Sequence, residues 1–364
     1  MRRILHSPWG LAAISVPLLA VTVVLLWWRG PEWSAVGNAF IAVHWWWIVV
    51  ALALNLLSVA VRALAWQTVV HQALPDQALP FSRVFSAFAV GLLGNAVLPG
   101  RIGEIARVAV LGRRLQRGQG YTGTLVGTVF AHRLFDLFPA LLLVVYVVLT
   151  ARIPHWAISS LAAVAAAGGV LLAVGILSAR RGQRPAIEGL GRARRLLAMA
   201  RQGLGVMRSP AAAAVAIALQ CVGWLFQLLA VYVAMRAFGI HEPMPAAGLV
   251  LLLMNVATIF PLWPGNIGLL QAAVALPLVP YGVAYTRGFA YGLGLQVLEM
   301  SVGVGVGLLF LAREGLSFGA LRGMPPAPEA AELPANQSFV WVEPHKRPVD
   351  DLLERERMRR GMVE

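Results

Sequence analysis

A five-residue phrase occurs twice in this chain, as Pro99-Gly100-Arg101-Ile102-Gly103 and, 165 positions later, as Pro264-Gly265-Asn266-Ile267-Gly268. Each copy lies inside a long apolar stretch and follows an asparagine, Asn95 or Asn255. Proline and glycine interrupt helices. At membrane depth an interruption is tolerated only where the freed N–H and C=O groups are buried in protein or line a watery cavity, because lipid cannot satisfy them. Two interruptions in matching places of two halves point to a transporter-like site.

Composition decides that these stretches belong to a membrane. Hydrophobic residues make up 59% of the chain, charged residues 13%, and the mean hydropathy is +0.73, whereas about 25% of a soluble domain is charged. The 364 residues suit one polytopic membrane domain of roughly eight to ten segments. The net charge of +14 would suggest nucleic acid in a soluble protein, but every cation except Lys346 is arginine and most flank apolar runs. Anionic headgroups and topology account for them, and no nucleic-acid partner is expected. Cys221 is the single cysteine, and the seven histidines show no HExxH-like spacing. No disulfide, metal site or cofactor is therefore expected.

Apolar runs fall near residues 9–28, 44–66, 84–98, 102–112, 121–150, 156–178, 211–237, 247–262, 266–281 and 288–312. The first follows Met1-Arg2-Arg3, is long for a signal h-region, and reads as an uncleaved span. The run ending at Gly112 would be about 16 Å long as a helix, half of a ~30 Å hydrocarbon core. Paired short arms joined at Pro-Gly therefore read as re-entrant hairpins, with Pro99, Gly100 and Gly103 forming one break and Pro264, Gly265 and Gly268 the other.

Arginine placement orients the runs. With the N-terminus inside, cytoplasmic segments carry Arg2, Arg3, Arg83, Arg113, Arg114, Arg117 and eight arginines between Arg180 and Arg208, against little beyond Arg29, Arg152 and Arg287 outside. This assignment makes the first hairpin enter from the inside and the second from the outside. The expected architecture is all-α and polytopic, with two inverted repeats. Residues 1–315 form the membrane domain, including a basic cytoplasmic linker at about 179–210; this linker reads equally as a helix lying on headgroups and as a solvated connection. Residues 316–364, opening with a Pro- and Ala-rich stretch, read as a disordered, charged cytoplasmic tail.

Three acidic residues, Glu104, Asp136 and Glu299, lie within apolar runs. An ionisable group there costs at least a few kcal/mol and is a functional candidate by default. Arg101, Glu104 and Arg107 share one helical face. Beside a helix break they suit a phosphate; a buried Glu-Arg ladder shaping the hairpin is the competing reading. Arg133 and Asp136 pair along one face, either as structural glue or as a relay. Glu299 follows Pro264 by 35 residues as Arg133 follows Pro99 by 34, which places charge at comparable depth in both halves. Arg62 reads as snorkelling toward headgroups, Trp45-Trp46-Trp47 as an interfacial belt, and Gly303, Gly305 and Gly307 as a close-packing face.

The stretch from Gly91 through Asn95, Pro99, Arg101, Gly103 and Glu104 to Arg107, with Arg133-Leu-Phe-Asp136 and the second Pro-Gly motif, resembles the lysylphosphatidylglycerol synthase transmembrane-region family, also called flippase-like membrane proteins. The resemblance covers roughly residues 10–315. It implies movement of lipids, including aminoacylated phospholipids and polyprenyl-linked sugars, between leaflets. The chain departs from the family at His132, where a Glu is frequent, and at Gln271, where an acidic or other polar residue is. The tail is also too short to hold the soluble synthase domain of the fused proteins.

The resulting expectation is a bacterial inner-membrane flippase-like transporter, not an enzyme, with both termini cytoplasmic and membrane lipids, anionic in headgroup, as partners. Arg101 and Arg107 would attract the headgroup, while Glu104, Arg133, Asp136 and Glu299 line its path together with Asn95, Asn266 and Gln271. The alternative is a non-transporting scaffold for a lipid-modifying enzyme or glycosyltransferase, docked through the basic linker and tail.

Overall fold

The computed structural model describes residues 31–97, 103–115, 121–153, 209–259 and 266–315, with Val24 and scattered positions between 158 and 173. The first span at 9–28 apart from Val24, the break residues Pro99, Gly100, Pro264 and Gly265, Arg101, nearly all of the linker and the 316–364 tail lie outside the described residues.

Among the described residues the secondary structure is helical. A short helix α1 (Trp33–Ile41) precedes α2 (Trp45–Ala73), α3 (Phe81–Val97), α4 (Gly103–Gly112) and α5 (Tyr121–Thr150). The second set comprises α6 (Pro210–Ala237), α7 (Met244–Ile259), α8 (Leu269–Ala275) with a 3-10 turn over Leu276–Tyr281, and α9 (Tyr285–Arg313). Four of these, α2, α5, α6 and α9, are long and apolar enough to cross a membrane. At 1.5 Å per residue each is about 42–45 Å long, enough for a ~30 Å core and its interfaces. The protein is an integral membrane protein with transmembrane helices.

Local chemistry sets the helix ends. Ser209 caps α6 by accepting from the Ala212 amide at 3.5 Å, and Pro210 follows at the first helical position, where its missing N–H costs nothing. Helix α2 contains neither Gly nor Pro and stops at Leu74, just before Pro75. Helix α1 was not expected; its nine residues are too short for a span, and only Val36 among them is buried. It docks through the edges of Trp33 on Phe289 and Phe40 on Phe238, with ring centroids 6.0 and 5.4 Å apart.

Adding 165 to the bounds of α2, α3, α4 and α5 lands within three residues of the bounds of α6, α7, α8 and α9. The spacing of the doubled phrase is thus the spacing of the helices. Glycines permit close approach where the short helices pack. A Cβ on Gly94 would lie 2.7 Å from the Gly103 Cα, and one on Gly91 would lie 3.1 Å from the Arg107 Cβ, so α3 and α4 run antiparallel in backbone contact. Gly307 rests on Leu93 and Ala89 of α3, Gly303 faces Ala96, and Gly305 meets none of the described residues, so among these only part of the expected glycine face is a packing face.

The end of α9 is pinned by Glu314, which accepts from Ser86 Oγ at 2.7 Å and from Arg114 Nη2 at 2.8 Å, tying α9 to α3 and to the turn after α4. In the other half, the Arg152 amide beyond α5 donates to Tyr281 Oη at 2.8 Å.

The apolar interior falls into two clusters, and every long helix contributes to both. One contains Val129 and Phe135 of α5, Ala216 of α6 and Val302 of α9. The other contains Leu143 of α5, Leu228 of α6 and Leu298 of α9. Between them, at residues 136, 220 and 299, lies a polar layer.

Candidate functional site

That layer sits near mid-length of the long helices. Arg62 is residue 18 of 29 in α2, Asp136 is 16 of 30 in α5, Gln220 and Gln227 are 11 and 18 of 28 in α6, and Glu299 is 15 of 29 in α9. Helices of this length place their midpoints far from either polar interface.

Asp136 is the hub. Its buried carboxylate accepts from Arg62 Nη2 at 3.1 and 3.3 Å, Gln220 Nε2 at 2.8 Å, Trp224 Nε1 at 3.1 Å and Arg133 Nη1 at 3.3 Å. Arg133 is shared: its Nε donates to Glu104 Oε1 at 2.6 Å, and its Nη2 pairs with the same oxygen. The charges therefore alternate along Glu104, Arg133, Asp136 and Arg62, crossing from α4 through α5 to α2. Arg62 Nη1 continues the chain to Gln227 Oε1 at 3.4 Å, and Gln227 faces the Glu299 carboxyl. Each of the four charges from Glu104 to Arg62 gains an opposite neighbour, which offsets the desolvation that an isolated ion would suffer.

The Arg133–Asp136 pair forms as expected. Arg62 does not snorkel: it turns inward to Asp136, which overturns the headgroup reading. Gly223 makes this possible, because a Cβ there would lie 2.6 Å from Arg62 Cγ. Ser58 fastens the same crossing, its Oγ donating to the Gly223 carbonyl at 2.7 Å. Gly223→Ala is expected to displace the Arg62 stem and cost about 1–3 kcal/mol, measured by unfolding in detergent micelles; an unchanged midpoint would contradict the crossing.

The Glu104–Arg107 ladder does not form. The Glu104 carboxylate is taken by Arg133, a partner 29 residues away on the next helix. Arg107 is instead buried against Trp66 and Phe88, its guanidinium carbon 4.8 and 5.7 Å from their ring centroids. Trp66 is held in place by donating its Nε1–H to Thr128 Oγ1 at 3.2 Å. Asn95 stands at the α3–α4 contact, where its Oδ1 is buried with no hydrogen-bond partner among the described residues, 2.7 Å from where a Gly103 Cβ would project.

In the second half, Asn266 and Gln271 serve the turn before α8. Asn266 has a positive φ of 46° and donates from Nδ2 to the Ala257 carbonyl at 3.1 Å. Gln271 Oε1 accepts from the Gly268 amide at 2.6 Å, and its Nε2 donates to Gln296 on α9. Gly268 has a φ of 91°, a conformation that favours glycine.

Gln220, Trp224 and Gln227 were missed by sequence reasoning. Their signal was available: Gln220 and Gln227 are seven apart in an otherwise apolar run, which puts two amides on one helical face. Among the described residues no group of three or more His, Cys, Asp or Glu is placed to hold a metal.

No curated protein and no solved structure matches the chain. A family model described as the lysylphosphatidylglycerol synthase TM region matches residues 13–307, a range that contains every member of the charged network, and the chain belongs to that family.

Proposed function

We propose that this protein is a flippase-like transporter that moves a lipid or lipid-linked anionic headgroup between the leaflets of a bacterial inner membrane, with both termini cytoplasmic. The observation that carries the reading is the alternating charge chain of Glu104, Arg133, Asp136 and Arg62 across α4, α5 and α2, joined from the second half by Gln220 and Gln227 of α6 near mid-length of the long helices. Ionisable groups at that depth are expensive and mark substrate paths in membrane proteins. The repeated 165-residue spacing supports two repeats in inverted orientation, each with a re-entrant pair of short helices, an arrangement that brings broken helices together at the midplane.

In this reading the headgroup crosses through the polar layer while the acyl chains stay in lipid. Glu104, Arg133, Asp136, Arg62 and Glu299 exchange partners as it passes, so no bare charge is left behind. Asn95 lines the first half of the path, and Asn266 and Gln271 give the second half its shape. The chain transports and does not transfer groups between molecules.

Leaflet exchange of labelled anionic phospholipids in proteoliposomes tests the proposal. Wild type is expected to accelerate exchange, and Glu104→Gln, which removes one of the two carboxylates that Arg133 pairs with, to slow it by at least about tenfold, equivalent to about 1.4 kcal/mol in the barrier. Equal rates in protein-free, wild-type and variant vesicles for every lipid class tested would overturn it.

A further inference from the structure

The network leaves one buried cation unanswered. Arg62 and Arg133 each reach a carboxylate, but the Nε and Nη2 of Arg107 are buried without a hydrogen-bond partner among the described residues. Arg107 is only 4% exposed. The faces of Trp66 and Phe88 stabilise its charge but accept no conventional hydrogen bonds from the guanidinium plane.

His132 meets the same aromatic wall, its ring 5.9 Å from Phe88 in an edge-to-face contact. The Gln220 amide nitrogen lies 3.4 Å from His132 Nε2. An amide nitrogen donates, so this ring nitrogen accepts and the proton of the neutral imidazole sits on Nδ1. Nδ1 is also buried without a partner. Two side chains from α4 and α5, both against Phe88, thus present three donor nitrogens without an acceptor among the described residues, and one cation without a carboxylate there.

We propose that Arg107 and His132 form a binding site for a singly charged phosphodiester oxyanion, the phosphate of a lipid headgroup. The guanidinium fork matches two oxygens of a phosphate, one negative charge balances the one unanswered cation, and the Nδ1–H supplies a third donor. The site itself rests on the unpaired donors; its assignment to a lipid rests on the transport reading.

The test uses the purified full chain in neutral detergent, with thermal unfolding and titration read together. The probes are dioleoylphosphatidylglycerol, soluble dimethyl phosphate, dioleoylglycerol and sodium chloride. The phosphodiester lipid is expected to bind and raise the Tm of wild type, whereas dioleoylglycerol and chloride do not.

Arg107→Met, which removes the charge and keeps the length, is expected to raise the Tm without ligand and weaken phosphodiester binding at least about tenfold. His132→Phe, which keeps the ring and removes the donor, gives a second measurement should Arg107→Met not fold, with an expected weakening of about threefold to tenfold. Response to dimethyl phosphate but not to the lipid would support an oxyanion site while overturning the lipid assignment. An undiminished phosphodiester response in both variants, or an equal response to chloride, would overturn the site. Absence of leaflet exchange alongside an Arg107-dependent phosphodiester response would overturn the transport reading and leave the site standing.

Discussion

Asp136→Asn is expected to destabilise the protein by about 3–5 kcal/mol, the scale for breaking a buried ion pair by removing one partner. The change is nearly isosteric, so packing is preserved and the loss is electrostatic. One carboxylate accepts from Arg62, Arg133, Gln220 and Trp224. Neutralising it leaves Arg62 with neutral acceptors only, Gln227 Oε1 among them, and removes the charge assistance from the Gln220 and Trp224 bonds. Denaturant titration in micelles checks the loss. Arg62→Met with Asp136→Leu should recover a substantial part of it, because removing both partners leaves no stranded charge; a double variant as weak as the sum of the singles would contradict the pairing.

Gly103→Ala is expected to cost about 3 kcal/mol or more, above the usual overpacking range. The added Cβ would lie 1.8 Å from the Gly91 carbonyl oxygen and 2.6 Å from the Asn95 amide nitrogen, so backbone must separate from backbone. No rotamer change relieves such a clash. Gly305→Ala is the control: nothing lies within 4 Å of its added methyl, and replacing a helical glycine there is expected to be neutral or to stabilise by about 0.5–1 kcal/mol. Equal losses in the two variants would mean that the α3–α4 contact is not the cause.

The positions of charge along the chain were readable, but their partners were not. Glu104, Asp136 and Glu299 stand out because few acids occur in apolar runs, and their depth follows from counting residues along a helix. Pairing depends on how neighbouring helices are rotated. Local spacing joins Glu104 to Arg107, whereas the folded chain offers it Arg133 from α5.

Arg62 illustrates the same gap. An arginine near one end of an apolar run resembles a snorkelling residue, and what turns it inward is a glycine on another helix, 161 positions away. Gly223 means nothing in isolation. Helix α1 escaped notice for a different reason: nine residues containing Gly37 and Asn38 satisfy neither the length of a span nor a strong apolar face. The neighbouring of α3 and α4, by contrast, could be expected from their shortness and the Pro-Gly between them; the part that Gly91, Gly94 and Gly103 play in their close contact could not.

The contacts across α2 and α6 carry a consequence about ancestry. Ser58 touches Gly223 and Arg62 touches Gln227, and both pairs are separated by 165 positions, the interval of the doubled phrase. Under the two-repeat architecture proposed above, a residue that touches its own counterpart lies beside the two-fold axis. A duplicated gene with identical halves would set arginine against arginine at 62 and 227, each with an aspartate in reach, at 136 and at 301. In the present chain Gln227 and Ser301 stand at those two second-half positions, so the charge beside the axis belongs to the first copy alone.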